Sequence, residues 1–181
     1  MSVRALAVLA AVILGVLAAP SAAQADPVTL LDCTGWQDVS YSPPLTNTET
    51  STLQSVDARF GTSALPLGLC LTVGSTITGG GYTTSFTSLR SCLELAVASG
   101  EPVTRAYSWN DATTSTVSTT RRVERTEGTT VITFEGTVTA GHFAGATIVE
   151  TLVAVNPNPL ICATTGVSSL HFTDEVLILS D

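Results

Sequence analysis

Two histidines, His142 and His171, are the whole imidazole complement of this 181-residue chain. A site needing a proton carrier near neutral pH, or an imidazole metal ligand, must therefore use one or both, with Glu150, Asp174 or Glu175 as partners. Their settings favour a plainer role. His142 lies in the glycine-flanked corner Gly141-His142-Phe143-Ala144-Gly145-Ala146 and His171 at the start of a predicted strand, places where a half-exposed histidine is ordinary. Glu150 is physically more demanding. It sits among Ile148, Val149, Leu152 and Val153, so apolar residues accompany it whichever face it takes. An isolated carboxylate there needs a partner or a raised pKa. Arg105, alternating with Val103, Tyr107 and Trp109, poses the same problem with the opposite sign. The two are expected to meet. The preferred reading is a structural ion pair on a sheet face; the alternative makes Arg105, Glu150 and His142 the candidate polar site of a ligand pocket or an enzyme.

Other chemistries find less support. A glycosidase-like carboxylate pair could draw on Glu135, Glu150, Asp174 and Glu175, but alternation turns Glu135 away from Ile132 and Phe134 and towards solvent. No Gly-x-Ser-x-Gly elbow occurs. The chain has no lysine, which removes Schiff-base chemistry and the phosphate-loop lysine. Trp36, Tyr41, Tyr82, Tyr107 and Trp109 could form a sugar platform only if several were exposed together; sharing a face with Val103 assigns Tyr107 and Trp109 to the core instead. No catalytic residue, cofactor or metal site is therefore assigned.

The elements that would position these residues read as strands. Thr, Val and Ser dominate, and helix formers never assemble at a 3.6-residue period after the N-terminal segment. Ser85 to Ala98 comes nearest to a helix and is read as strand plus loop. The clearest unit is a meander: Val103 to Trp109, a turn at Asn110-Asp111, Thr113 to Arg125 with Val117 and Val123 on one face, a turn at Thr126-Glu127-Gly128, Thr130 to Ala140 with Ile132, Phe134 and Val138 inward, the Gly141 corner, and Thr147 to Val155. Before it, Gly35 to Tyr41 and Thr48 to Phe60 are predicted strands about a turn at Ser42-Pro43-Pro44. Gly61 to Gly81 reads as loop, with Gly79-Gly80-Gly81 its most flexible point. Asn156-Pro157-Asn158-Pro159 ends the meander, since proline cannot donate to a ladder. His171 to Leu179 closes the chain. The fold class is all-β: an antiparallel, immunoglobulin-like (Ig-like) β-sandwich of about eight strands, with a small β-barrel as the alternative.

Four cysteines, Cys33, Cys70, Cys92 and Cys162, imply two disulfides, since none is spaced as a zinc knuckle. Three pairings are open, of which Cys33 with Cys70 and Cys92 with Cys162 is preferred. The oxidising compartment follows from the N-terminus. Arg4, the apolar run Ala5 to Ala19 and the small-x-small step Ala23-Gln24-Ala25 read as a signal peptide over residues 1–25, too short to span a bilayer, leaving one domain over 26–181. Cys33 follows Asp32 and makes no lipobox, so the product is expected to be secreted to the extracellular space, with no membrane attachment after signal removal. Removing Arg4 leaves six arginines against fifteen acids, 6 − 15 = −9. Nucleic acid is a poor partner for such a surface.

Cys33-Thr34-Gly35, Tyr41-Ser42-Pro43-Pro44-Leu45-Thr46, Ser91-Cys92-Leu93 and Gly136-Thr137-Val138 together with the Gly141 corner resemble a group of small secreted actinobacterial β-proteins of unknown function. Use of Arg for every cation, with abundant Ala, Val, Gly and Thr, fits a high-GC bacterial genome. The resemblance implies an exported β-protein and brings no activity or site residues with it. The Gly141 corner alone also resembles corners in small bacterial barrels of the allene-oxide-cyclase-like kind. The expected function is a non-catalytic extracellular binding or surface-associated module with an unknown extracellular ligand or protein as partner. The alternatives are a small barrel with a polar site at Arg105, Glu150 and His142, and a protease inhibitor presenting the braced segment Gly61 to Gly81.

Overall fold

A computed structural model describes residues 27–66, 68–92, 100, 102–126 and 128–180. The expected signal segment 1–25 and the loop part of Ser85 to Ala98 beyond Cys92 lie outside the described residues. Among the described residues nine strands carry the fold: β1 (Thr29–Leu45), β2 (Thr50–Gly61), β3 (Cys70–Thr72), β4 (Gly79–Arg90), β5 (Pro102–Trp109), β6 (Thr114–Thr126), β7 (Thr129–Gly141), β8 (Thr147–Val155) and β9 (Val167–Leu179). A 3-10 turn at Thr62–Ala64 and a short helix α1 (Pro159–Ala163) complete the described elements. None of the described helices is long and apolar enough to cross a membrane.

Alternation explains why these segments are strands and which face each buries. Arg105, Tyr107 and Trp109 are buried along β5 while Thr104, Ala106 and Ser108 are exposed or turned outward. On β8 the buried set is Ile148, Glu150, Leu152 and Ala154, and on β9 it is Val167 at the start and then Phe172, Asp174, Val176 and Ile178. Every adjacent pair is antiparallel, in the order β2-β4-β5-β6-β7-β8-β9-β1, and β1 pairs again with β2. The sheet thus closes on itself as an eight-stranded barrel, with β3 added beside the start of β1 through Leu31 to Cys33. Of the two all-β architectures open to the sequence, the barrel forms. A sandwich needs two separate sheets, whereas here the β9–β1 and β1–β2 pairings join the eight strands into one closed sheet. The β1–β2 seam is tight: a Cβ on Gly35 would stand 1.9 Å from the Arg59 carbonyl oxygen of β2.

Both disulfides take the preferred pairing, Cys33–Cys70 and Cys92–Cys162. They do not join facing sheets. The first fastens β3 to its neighbour β1, where the two cysteines are register partners, and the second ties the segment after β4 to α1.

Four local expectations are corrected. Ser42-Pro43-Pro44 is not a turn but the end of β1, and the chain reverses over 46–49 instead. Pairing with β2 stops at Ser42 and the register with β9 breaks between Ser40 and Leu45, so neither proline has to donate a ladder hydrogen bond. Gly79-Gly80-Gly81 is not a flexible point: it begins β4, is buried, and pairs with β2 on one side. Glycine is required there by close approach. A Cβ on Gly80 would lie 2.5 Å from the Trp109 indole and 2.7 Å from the Ser108 carbonyl oxygen. Within Gly61 to Gly81 the short strand β3 also replaces part of the expected loop, and the last strand begins at Val167 rather than His171.

Candidate functional site

The barrel interior is layered. At one end an apolar cluster contains Leu31, Phe60, Trp109, Val117, Ile148 and Ile178, and at the other a second contains Val39, Ile132, Leu152 and Phe172. Between them lies a belt of polar groups supplied by five strands: Gln37 on β1, Tyr82 on β4, Arg105 and Tyr107 on β5, Glu150 on β8 and Asp174 on β9. All six are at most 8% exposed.

Arg105 and Glu150 are joined in a buried salt bridge through Nη1 and Oε2, so the two misplaced charges of the sequence neutralise each other. Tyr82 braces the pair. Its hydroxyl oxygen accepts from Arg105 Nη1 at 2.7 Å and lies 2.6 Å from Gln37 Oε1 and 2.9 Å from Glu150 Oε1. The guanidinium carbon stands 3.5 Å from the centre of the Phe134 ring, a cation–π contact made strong by desolvation. Burial alone would lower the Arg105 pKa, but the Glu150 charge outweighs it and holds the guanidinium protonated. Burial, and then the Glu150 charge, push the Tyr82 and Tyr107 hydroxyls well above their usual range.

Asp174 adds a second acid to this belt. It is 3% exposed, and neither carboxyl oxygen has a hydrogen-bond partner. In register it faces Leu152 across β8 and Gly35 across β1, which places it diagonally beside Glu150 on the inner face. Burial, and next the negative charge of Glu150, hold its pKa well above the ordinary 3.8. One guanidinium therefore faces two carboxyl groups, and the Asp174 carboxyl is pushed towards its neutral form. The inward parity of Phe172, Val176 and Ile178 was the signal for Asp174, hidden by the polar run Thr173-Asp174-Glu175.

Above the belt the second apolar cluster does not fill the barrel. A cavity of about 540 Å³ remains, lined from all eight barrel strands. Val39, Val56, Phe86, Val103, Ile132, Phe134, Leu170 and Phe172 form apolar wall, Gln37, Tyr82 and Arg105 the floor, and Arg90 and Arg121 further cationic lining. Arg105 Nη2 has no hydrogen-bond partner. The strand pairing explains the opening. β4 and β5 pair only at Gly80–Trp109 and Gly81–Ser108, after which Tyr82 to Arg90 pairs with β2 alone and Pro102 to Tyr107 with β6 alone. Thr87 and Thr104, from the opposite parity, join the lining as these two strands part.

Arg121 occupies the inward parity of β6 shared with Val117 and Val123, and its guanidinium is lowered to about 10 by burial and by the nearby Arg90 charge. Tyr41 beside them is pushed up to about 12 by burial, a shift moderated by Arg121 and Arg90.

The remaining sequence candidates lie elsewhere. His142 is at the β7–β8 corner, edge-on to Phe143 at 4.2 Å, in a shallow surface recess with Gly74, Ser75, Thr76 and Asp111; it does not line the main cavity. His171 is exposed and holds Asp38 through Nδ1 at 2.6 Å. Glu135 and Glu175 take the outward parity of their strands, so of the four acids considered only Glu150 and Asp174 come together. Tyr82, Tyr107 and Trp109 stack into the closed end of the barrel, with centroids 5.0 and 5.6 Å apart, and offer no exposed sugar platform. The segment considered as an inhibitor loop carries β3 and is tied down at Cys70, with Leu65, Leu69 and Leu71 exposed. Among the described residues no group of three or more His, Cys, Asp or Glu side chains is placed to hold a metal ion.

Fold and cavity together define a small closed β-barrel with a hollow, partly cationic interior. No family model, curated protein or solved structure matches this chain.

Proposed function

We propose that this protein is an exported, non-catalytic binding barrel that holds one small, largely apolar molecule inside its sheet. The observation that carries the reading is the cavity of about 540 Å³ lined from every barrel strand. Pockets of roughly 300–1,000 Å³ with apolar walls and a few convergent polar groups are the usual form of small-molecule sites, and eight-stranded barrels are wide enough to enclose one such ligand. Two disulfides and a signal-like N-terminus support action outside the cell, and the acidic composition argues against nucleic acid as the partner. The resemblance to small secreted actinobacterial proteins agrees with export and adds no activity.

The test uses the neutral fluorophore N-phenyl-1-naphthylamine. Mature protein should enhance its emission with one saturable site, and Ala154→Phe, which places a ring into the cavity from β8, should remove that site while the far-ultraviolet spectrum stays unchanged. A folded protein that gives no enhancement would overturn the proposal, as would an A154F variant that binds the dye unaltered.

A further inference from the structure

Three arginines face one cavity. Arg105 lines its floor, Arg121 its wall on β6 and Arg90 the end of β4, while no aspartate or glutamate stands among the described lining residues. In a chain with fifteen acids and seven basic residues that segregation is informative. Glu150 lies behind Arg105 and is consumed by the salt bridge with it. Arg105 is 8% exposed, and its Nη2, two N–H donors in a desolvated place, has no partner. An orphaned charged donor of that kind is expensive unless a ligand satisfies it. Arg121 brings a second guanidinium to the same cavity, where burial, and then the Arg90 charge, lower its pKa to about 10. A negative group at Arg105 Nη2 would satisfy that donor.

We infer that the cavity takes an amphiphile, an apolar body carrying one compact oxyanion head group such as a carboxylate, with the head group received by the guanidinium groups of Arg105 and Arg121 and assisted by Arg90. This deepens the binding reading above and rests on it. Arg is suited to the task because its planar fork matches an oxyanion with two parallel hydrogen bonds. The apolar side chains Phe86, Ile132, Leu170 and Phe172 then cover the body of the ligand.

A matched dye pair separates the head group from the apolar body. 1-Anilinonaphthalene-8-sulfonate is N-phenyl-1-naphthylamine with one added sulfonate. A purely apolar cavity must prefer the neutral member, because the sulfonate loses hydration on entry. At low ionic strength the anionic dye should bind about tenfold more tightly than the neutral one, and the advantage should shrink about tenfold in 0.5 M NaCl or in Arg121→Met. Arg90→Met, further from the buried pair, should show a smaller loss in the same direction and serves if R121M does not fold. Arg122→Met, an exposed position on the outer face paired with Glu124, should leave both dyes unaffected. Decanoate should displace the anionic dye and decanol should not. If the neutral dye binds as well as or better than the anionic one, and R121M and R90M change neither, the head-group inference is overturned while the binding barrel stands. If neither dye binds to the folded protein, the binding reading falls and the inference with it.

Discussion

Asp174 should make the barrel lose stability as pH rises through the mildly acidic range, and Asp174→Asn should abolish that loss. In the folded protein Asp174 is held protonated by burial and by the adjacent Glu150 charge, whereas in the unfolded chain it ionises near its ordinary 3.8. Between those two pKa values the native state binds one proton more than the unfolded state. The slope of unfolding free energy with pH is 2.303RT times the protons bound in the unfolded state minus those bound in the native state, so it is negative here, at about 1.4 kcal/mol per pH unit. The cost is absent below the ordinary pKa, grows through the window and levels off once Asp174 ionises in the fold. Asparagine has the shape of the neutral acid without the proton equilibrium. Urea unfolding of D174N and the unaltered protein, disulfides intact, at half-unit intervals from pH 4 to 8 measures the difference. D174N should match its parent near pH 4 and gain about 1.4 kcal/mol per unit above it, visible as a rise of roughly 3 °C in Tm per kcal/mol for a chain of this size. Parallel curves across the range would mean that Asp174 is ionised inside the barrel, which would refute the account of the belt as one positive group facing one carboxylate and one neutral acid.

Replacing one member of the Arg105–Glu150 pair by a neutral residue should destabilise by about 3–5 kcal/mol, because the other charge stays buried; R105M/E150M should recover part of that, and strictly additive losses in the double-mutant cycle would exclude the coupling. All three tyrosines of the chain are shifted upward, Tyr41 to about 12 and Tyr82 and Tyr107 well above 10, so absorbance at 295 nm should show no tyrosinate before about pH 11 while the fold persists, and a step at pH 10 in folded protein would contradict the burial. Gly80→Val should cost about 1–3 kcal/mol and alter the near-ultraviolet signal of Trp109, since the added carbons meet that indole; unchanged denaturation midpoints would show that β4 and β5 can part without penalty. Removing Cys92–Cys162 by a double alanine substitution opens a loop of 70 residues and should cost about 4 kcal/mol in chemical denaturation.

The meander β5–β8 was legible because its inward residues are large and apolar while its outward ones are Thr and Ser, so a period of two is unmistakable. The Arg105–Glu150 contact was legible for a related reason: two opposite charges, each on an apolar face, have few ways to be satisfied. Closure was harder to read. Alternating strands at this spacing serve a sandwich or a barrel equally well, and what decides between them is the pairing of the last strand, β9, with the first, β1, a long-range contact that neither strand's sequence encodes by itself. Gly79 to Gly81 misled because glycine marks either freedom or close approach, and only the position of Trp109 tells which. Arg121 was available from its parity with Val117 and Val123, yet lay beside Arg122 in a stretch that reads as solvated. The cavity itself left no mark in the sequence, since it arises where β4 and β5 separate rather than from any one residue.

The two residue pairs that join β4 to β5 set how the molecule can deform. Along the β1–β2 seam eight consecutive pairs hold, and between β2 and β4 twelve, so any widening of the wall is concentrated at Gly80 and Gly81. Parting that clasp breaks only a few backbone hydrogen bonds, each worth about 0.5–1.5 kcal/mol net, which is small beside the several kcal/mol of global unfolding. The barrel can therefore breathe sideways at one seam while its other seams remain zipped. Amide exchange at the β4–β5 seam should accordingly be set by local fluctuation, and exchange along β1 and β9 by whole-molecule unfolding.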